Sequence, residues 1–291
     1  MAVAQASARP KTEANRIPIS AGTIALHAAL VIGAFLMVFP FLWMVLTSLK
    51  DSSQAFLIPP KWIPDPFVWG NYPASLEALP FGLAYFNSLY ISAIVIIVTL
   101  LTSSMAAYAF AKIDFPFRDA LFVLFLATMM VPQQVTIIPL YLIMRQIGWL
   151  DTHLTLIVPP ALFNAFAVFM LRQFIMGIPA PLEEAAIVDG ASRLRIYWSI
   201  ILPLIRSALA ALGIFAFLGT WNSFFQPLIY LSTPDKFTVP LMLSQFKGQY
   251  TVDWSLLMAG SAIAVIPVLI AYIIGQRQII EGITMTGFGG R

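Results

Sequence analysis

Six stretches of this chain are long, apolar and free of charge. Residues 21–46, 85–110, 120–143, 154–171, 207–231 and 254–275 contain no Asp, Glu, Lys or Arg. At 1.5 Å of rise per residue, about 20 such residues cross the roughly 30 Å hydrocarbon core of a bilayer. Hydrocarbon offers backbone amides no partner, so a continuous apolar run satisfies them only as a helix. The expected fold class is therefore an all-α polytopic membrane protein with six transmembrane helices. Charged residues make up 10% of the chain, against roughly 25% in an average soluble domain. The first apolar run of 26 residues exceeds the apolar core of a signal peptide, about 7–15 residues, and reads as a retained span.

The basic residues give an orientation. If the spans alternate, eleven of the 16 basic residues fall on the side of the N-terminus: Arg9, Lys11, Arg16, Lys112, Arg118, Arg172, Arg193, Arg195, Arg206, Arg277 and Arg291. Lys50, Lys61, Arg145, Lys236 and Lys247 fall opposite. The positive-inside bias then places both termini in the cytoplasm. On this reading residues 1–20 are a cytoplasmic tail, 21–46 the first transmembrane helix, and 47–81 an extracytoplasmic segment. Residues 82–276 form a core that holds the other five spans, and 277–291 a second cytoplasmic tail. The outer segment after the first span is rich in Pro and aromatic residues, which suits an ordered cap. Small residues such as Ser103, Ala107 and Ala111, and the run 257–264, suit close helix packing.

Several chemistries lack their parts. The chain has no cysteine and two histidines, His27 and His153, so no zinc site or catalytic triad is indicated. Neither HExxH nor GxSxG occurs, and no metal-binding or catalytic residue is expected. Basic residues form no patch suited to nucleic acid. Ion-driven carriers commonly mark their path with charged residues at membrane depth. Here the polar groups at depth are neutral, and Asn87, Gln133, Asn222 and Gln226 are the candidates for a translocation path. No GxxxxGK[ST] loop is present, so the chain has no phosphate loop of its own for ATP.

One segment departs from this apolar pattern. In residues 183–195, Glu183, Glu184, Asp189, Arg193 and Arg195 crowd together, within a loop over 179–205 that the orientation places in the cytoplasm. Pro181 suits a first helical turn, and Glu183 and Glu184 favour its positive end. Ala185 and Ala186 are strong helix formers with little surface to obstruct a neighbour. Gly190 can take the left-handed conformation that ends many helices, and Ser192 can cap a second helix. The residues alone fit two readings equally: a docking element for another protein, or an amphipathic connector lying on the membrane.

The segment resembles the EAA signature of ABC importer permeases: Glu184-Ala185-Ala186, Asp189-Gly190-Ala191, then Ile200, Leu202 and Pro203. "YFNSLYIS", "MVPQQVTIIPLYLIM", "TWNSFFQPLIYL" and "IIEGITMTGFGGR" extend the resemblance over most of the chain. The chain is similar to the six-helix permease subunit of maltose-type carbohydrate importers. Tyr197 departs from a common Phe, and Ser207 from a usual second proline. The resemblance implies a type I ABC importer permease fold in a bacterial or archaeal plasma membrane. It implies a heterodimer with a second permease, two ATPase subunits that hold ATP and Mg, and an extracytoplasmic sugar-binding protein. No cofactor would bind this chain directly. Glu183, Glu184, Ala185, Ala186, Asp189, Gly190, Ala191, Leu202 and Pro203 would form the ATPase-docking element. The outer loop 232–253, with Gln245, Lys247 and Tyr250, would meet the binding protein. The expected cargo is a di- or oligosaccharide; a sugar phosphate such as glycerol phosphate, or an ion-coupled secondary carrier, is the alternative.

Overall fold

A computed structural model describes residues 21–55, 57–246 and 253–287. The chain divides into two units, residues 1–44 and residues 45–291. The described part of the first is helix α1, Ala21–Ser48, which runs into the second. Its apolar side chains, Leu30, Val31, Phe35 and Met37 among them, are exposed, as lipid contact requires.

Helices are the regular secondary structure among the described residues of the second unit. In chain order it holds α2 (Asn71–Glu77), α3 (Phe81–Lys112), α4 (Arg118–Ala127), α5 (Gln133–Gln146), α6 (Leu154–Leu162) and α7 (Ala165–Met176). Short helices α8 (Ala180–Val188), α9 (Arg193–Ile196) and α10 (Leu202–Leu204) then precede α11 (Arg206–Trp221), α12 (Phe225–Tyr230), α13 (Val239–Ser244) and α14 (Trp254–Gly287). Among the described residues of the whole chain, four helices are long and apolar enough to cross a membrane: Ala21–Ser48, Phe81–Lys112, Leu154–Met176 and Trp254–Gln278. Two bent pairs, Arg118–Met130 with Gln133–Gln146 and Arg193–Leu204 with Arg206–Trp221, raise the number to six if each is one span.

Three expected spans are interrupted: 154–171 at Phe163 and Asn164 between α6 and α7, and 120–143 and 207–231 at prolines. The apolar run 120–143 bends by 100° at Val131-Pro132. Proline has no N–H for the ladder and pushes its predecessor out of helical conformation; Val131 is extended, with ψ 115°. The run 207–231 stops at Trp221 and resumes at Phe225. Pro227 explains this, since its ring would clash with the carbonyl of Ser223 in a continuous helix. Helix α3 has no proline and continues for 32 residues.

Apolar packing forms two clusters, with α3 contributing to both. One gathers Phe81, Ile91, Val95, Leu156, Trp221, Val239 and Met242. The other gathers Ala107, Tyr108, Ala167, Leu171, Tyr197, Ile201 and Leu212. The small residues do pack closely: Ser103 and Ala107 are buried. A Cβ added at Gly260 would lie 3.0 Å from Leu243 Cδ2.

Candidate functional site

The charged loop folds as its residues dictate. Helix α8 has a proline in its first turn and ends at Gly190, whose φ is +79°. The Gly190 N–H donates to the Ile187 carbonyl and the Ala191 N–H to the Ala186 carbonyl, each at 2.9 Å. Those two bonds make a Schellman stop, which needs a left-handed residue at Gly190. Ser192 Oγ then accepts from the Arg195 N–H at 3.3 Å and caps α9. A π turn over Tyr197–Ile201 leads through α10 to α11, with a 78° bend between the two arms.

Adjacent glutamates on this helix point to different places, because successive residues turn by about 100°. Glu183 is 5% exposed. Its carboxylate lies 3.1 Å from Lys112 Nζ at the end of α3 and 3.9 Å from Arg193. The Tyr108 hydroxyl donates to Glu183 Oε2 at 3.5 Å. Oε1 has no aligned hydrogen bond, so its contact with Lys112 is ionic. Glu184, Ala185, Asp189, Gly190 and Pro203 are exposed, whereas Ala186, Ala191 and Leu202 pack partly against the core cluster around Tyr197. Among the residues expected in the docking element, Glu183 thus has its side chain turned inward, to the Lys112 ammonium. Exposed Leu182 and Val188 accompany Glu184 on the outer surface of α8.

The same end of the unit collects other charges from separate helices. Lys112 Nζ also donates to the Ile178 carbonyl at 2.7 Å, where the loop begins. Arg172 Nε donates to the Phe110 carbonyl at 3.2 Å, and its guanidinium lies 4.2 Å from the Phe122 ring centroid. Tyr197 OH and Ser104 Oγ are 2.7 Å apart and buried, which gives the tyrosine at this position a polar partner that a phenylalanine would lack.

A cavity of about 770 Å³ lies within the unit. Three helix interruptions line it: Gln133 and Gln134 after the bend at Pro132, Phe163 and Asn164 between α6 and α7, and Ser223 and Phe224 between α11 and α12 with Phe225 and Gln226 at the start of α12. Asn164 caps α7, its side-chain oxygen accepting from the Ala167 N–H at 3.0 Å. Interrupted helices free backbone polar groups, and a membrane protein tolerates this where the groups line a cavity. Among the described residues, no Asp, Glu, Lys, Arg or His lines the space. Of the four expected path residues, Gln133 and Gln226 line it. Asn222 is exposed outside the lining. Asn87 is buried elsewhere, its side-chain amide donating to the Asp235 and Phe237 carbonyls at 2.8 and 3.1 Å. Neither of these two lines this cavity: Asn87 holds a loop, and Asn222 ends α11.

The opposite end of α3 meets the segment 232–239. Asp151, in left-handed conformation, accepts from the Ser232 and Thr233 N–H groups at 2.9 and 3.0 Å and from the Thr233 hydroxyl at 2.6 Å. Lys236 Nζ adds a bond at 2.9 Å. These donors, the Thr233 hydroxyl foremost, hold the Asp151 carboxyl well below the usual carboxylate range. His153 contacts the Lys236 carbonyl at 2.7 Å and the Tyr90 hydroxyl. Gln245 is exposed after α13, and Lys247 and Tyr250 lie outside the described residues. Sequence reading passed over Lys112, Tyr108 and Asp151. Only Lys112 carried a signal, as a base closing a long apolar run.

A model of the family described as "Binding-protein-dependent transport system inner membrane component" matches residues 99–283. The arabinooligosaccharides transport system permease protein of Halalkalibacterium halodurans is 34% identical over 264 residues, covering 88% of this chain and 93% of that protein. The lactose transport system permease protein of Rhizobium radiobacter is 32% identical over 259 residues, covering 89% and 94%. Among solved structures, a crystal structure of a bacterial ABC transporter involved in the import of the acidic polysaccharide alginate aligns with a TM-score of 0.76 at 23% identity. It covers 87% of this chain and 95% of that one.

Proposed function

The chain belongs to the binding-protein-dependent transport system inner membrane component family, and on that premise we propose that it is a transmembrane permease subunit of an ABC importer for di- or oligosaccharides. Its fold is that of a type I importer permease. It sits in a bacterial or archaeal plasma membrane with both termini in the cytoplasm, beside a second permease subunit. Two ATPase subunits supply the energy, holding ATP and Mg. An extracytoplasmic binding protein delivers the sugar to the face that carries residues 232–246. The observation that carries this reading is α8, a sharply terminated helix with Glu184 exposed at the Lys- and Arg-rich end of the unit.

The mechanism follows from how the pieces are joined. A closing ATPase pair displaces α8, which is bound to the end of α3 through Glu183 and Lys112. The π turn and the bend before α11 pass that displacement to the helices lining the cavity. Two arrangements of these packed elements then expose the cavity to one side or the other, as alternating access requires. The lining offers amide and hydroxyl groups with aromatic rings such as Phe163 and Phe224. This chemistry suits an uncharged saccharide, and the named cargoes of the similar permeases favour it over a sugar phosphate.

In cells carrying the whole transporter, ATP depletion should abolish uptake of labelled oligosaccharide, and an ionophore at constant ATP should leave it intact. Glu184→Lys should strip the ATPase subunits from the purified complex and stop uptake. Uptake by this chain alone that collapses with an ionophore would instead establish a secondary carrier.

A further inference from the structure

Helix α3 is held by polar side chains at both of its ends, and each grip falls on a loop of functional interest. At one end Lys112 binds Glu183 on α8 at 3.1 Å and the Ile178 carbonyl at 2.7 Å. At the other, Asn87 donates to the Asp235 and Phe237 carbonyls, and Ser88 Oγ accepts from the Val239 N–H at 2.8 Å. Asn87 and Lys112 are 25 positions apart, about 37 Å of helix.

The neighbouring helices of the second unit cannot serve as such a rod. The line of α4 and α5 bends by 100°. Between α6 and α7, Phe163 and Asn164 leave helical geometry, and α11 is separated from α12 by three residues. Helix α14 carries Pro267. Among the described helices α3 is the longest without a proline, and it runs through both apolar clusters; the 16-residue α11 also reaches both but is half as long.

The ionic character of the inner grip is itself informative. Lys112 and Glu183 side chains are 13% and 7% exposed. Desolvating two such charges offsets much of their attraction, and well-packed apolar residues stabilise such a position as well or better. What an ion pair adds is a fixed geometry between two elements. Here one element is the outward-facing α8 and the other the unbroken rod.

We propose that the Lys112–Glu183 ion pair is the joint through which motion of α8 enters α3, and that α3 delivers it to the outer segment 235–239. Glu183 and Lys112 are positioning residues, distinct from Glu184, which faces outward. The inference rests on the importer reading given above.

The test uses the complete transporter in proteoliposomes, with sugar uptake and ATP hydrolysis measured together. Lys112→Met and Glu183→Gln should leave the ATPase subunits bound and hydrolysis running, while sugar moved per ATP falls by about fivefold or more. An unchanged ratio in either variant overturns the joint. So does loss of the ATPase subunits, which would make the pair an assembly contact. The natural absence of cysteine permits a second measurement. Lys112→Cys with Glu183→Cys should be uncoupled when reduced and recoupled when a short bifunctional thiol reagent bridges the two positions. Bridging without recovery also overturns the joint. A wild-type complex that transports without consuming ATP overturns the importer reading and the joint together. Normal coupling in wild type with failure of the tests above overturns the joint alone.

Discussion

Replacing Gly190 by alanine isolates one backbone requirement in the coupling loop. Gly190 has φ +79°, and an added Cβ would meet no atom within 4 Å. A steric clash is therefore excluded, and the cost is the intrinsic strain of an L-residue in left-handed conformation, about 1–2 kcal/mol. That energy should favour opening of the α8 stop by a factor of about 5–30. Asparagine visits this conformation more readily, so Gly190→Asn should cost less than Gly190→Ala, and a β-branched valine should cost most. Hydrogen exchange at the amides of Gly190 and Ala191, which donate to Ile187 and Ala186, reads the opening directly. Sugar uptake should fall in the same order as the stop loosens and Glu184 loses its fixed position. Equal protection in the glycine and alanine proteins, or an asparagine variant looser than the alanine one, would refute the argument.

Two further outcomes concern the cavity and the outer face. Asn164→Ala removes the cap of α7 and should cost about 1 kcal/mol; Asn164→Ser should recover most of it, and equal melting temperatures for the two variants would count against capping. Asp151 binds its donors as a carboxylate, with a folded pKa below the unfolded one of about 3.9. Its stabilisation is therefore full above that value and is lost as pH falls below it. Exchange protection of residues 232–237, corrected for intrinsic rates, should hold from about pH 8 to 5 and drop below about pH 4. Asp151→Asn should loosen the segment at every pH, and full protection in that variant would refute the role given to the carboxylate.

The comparison of sequence with structure turns on the range of the interactions involved. The apolar runs announced the helices because lipid leaves a backbone no other solution. The stop at Gly190 and the cap at Ser192 were legible because both are local, set by residues within four positions. The prolines were visible too, yet their consequences differed. Pro132 and Pro227 coincide with breaks, while Pro139 and Pro267 sit inside helices.

Long-range placement was not legible. Glu183 and Glu184 are chemically identical neighbours, and only the packing of α8 against α3 turns one inward to Lys112, 71 positions away. Asn87 read as a path residue for its polarity at depth; the loop at 235–237 claims its amide instead. Gln133 and Gln226 were chosen for the same reason and do line the cavity, joined by Asn164 from a third interruption. The sequence by itself determined the helical class and the local form of the coupling loop, since solvent and short-range backbone geometry set both. The tertiary structure alone decided which polar side chains face the cavity and which bind one another, because that depends on helices distant in sequence meeting at a particular rotation.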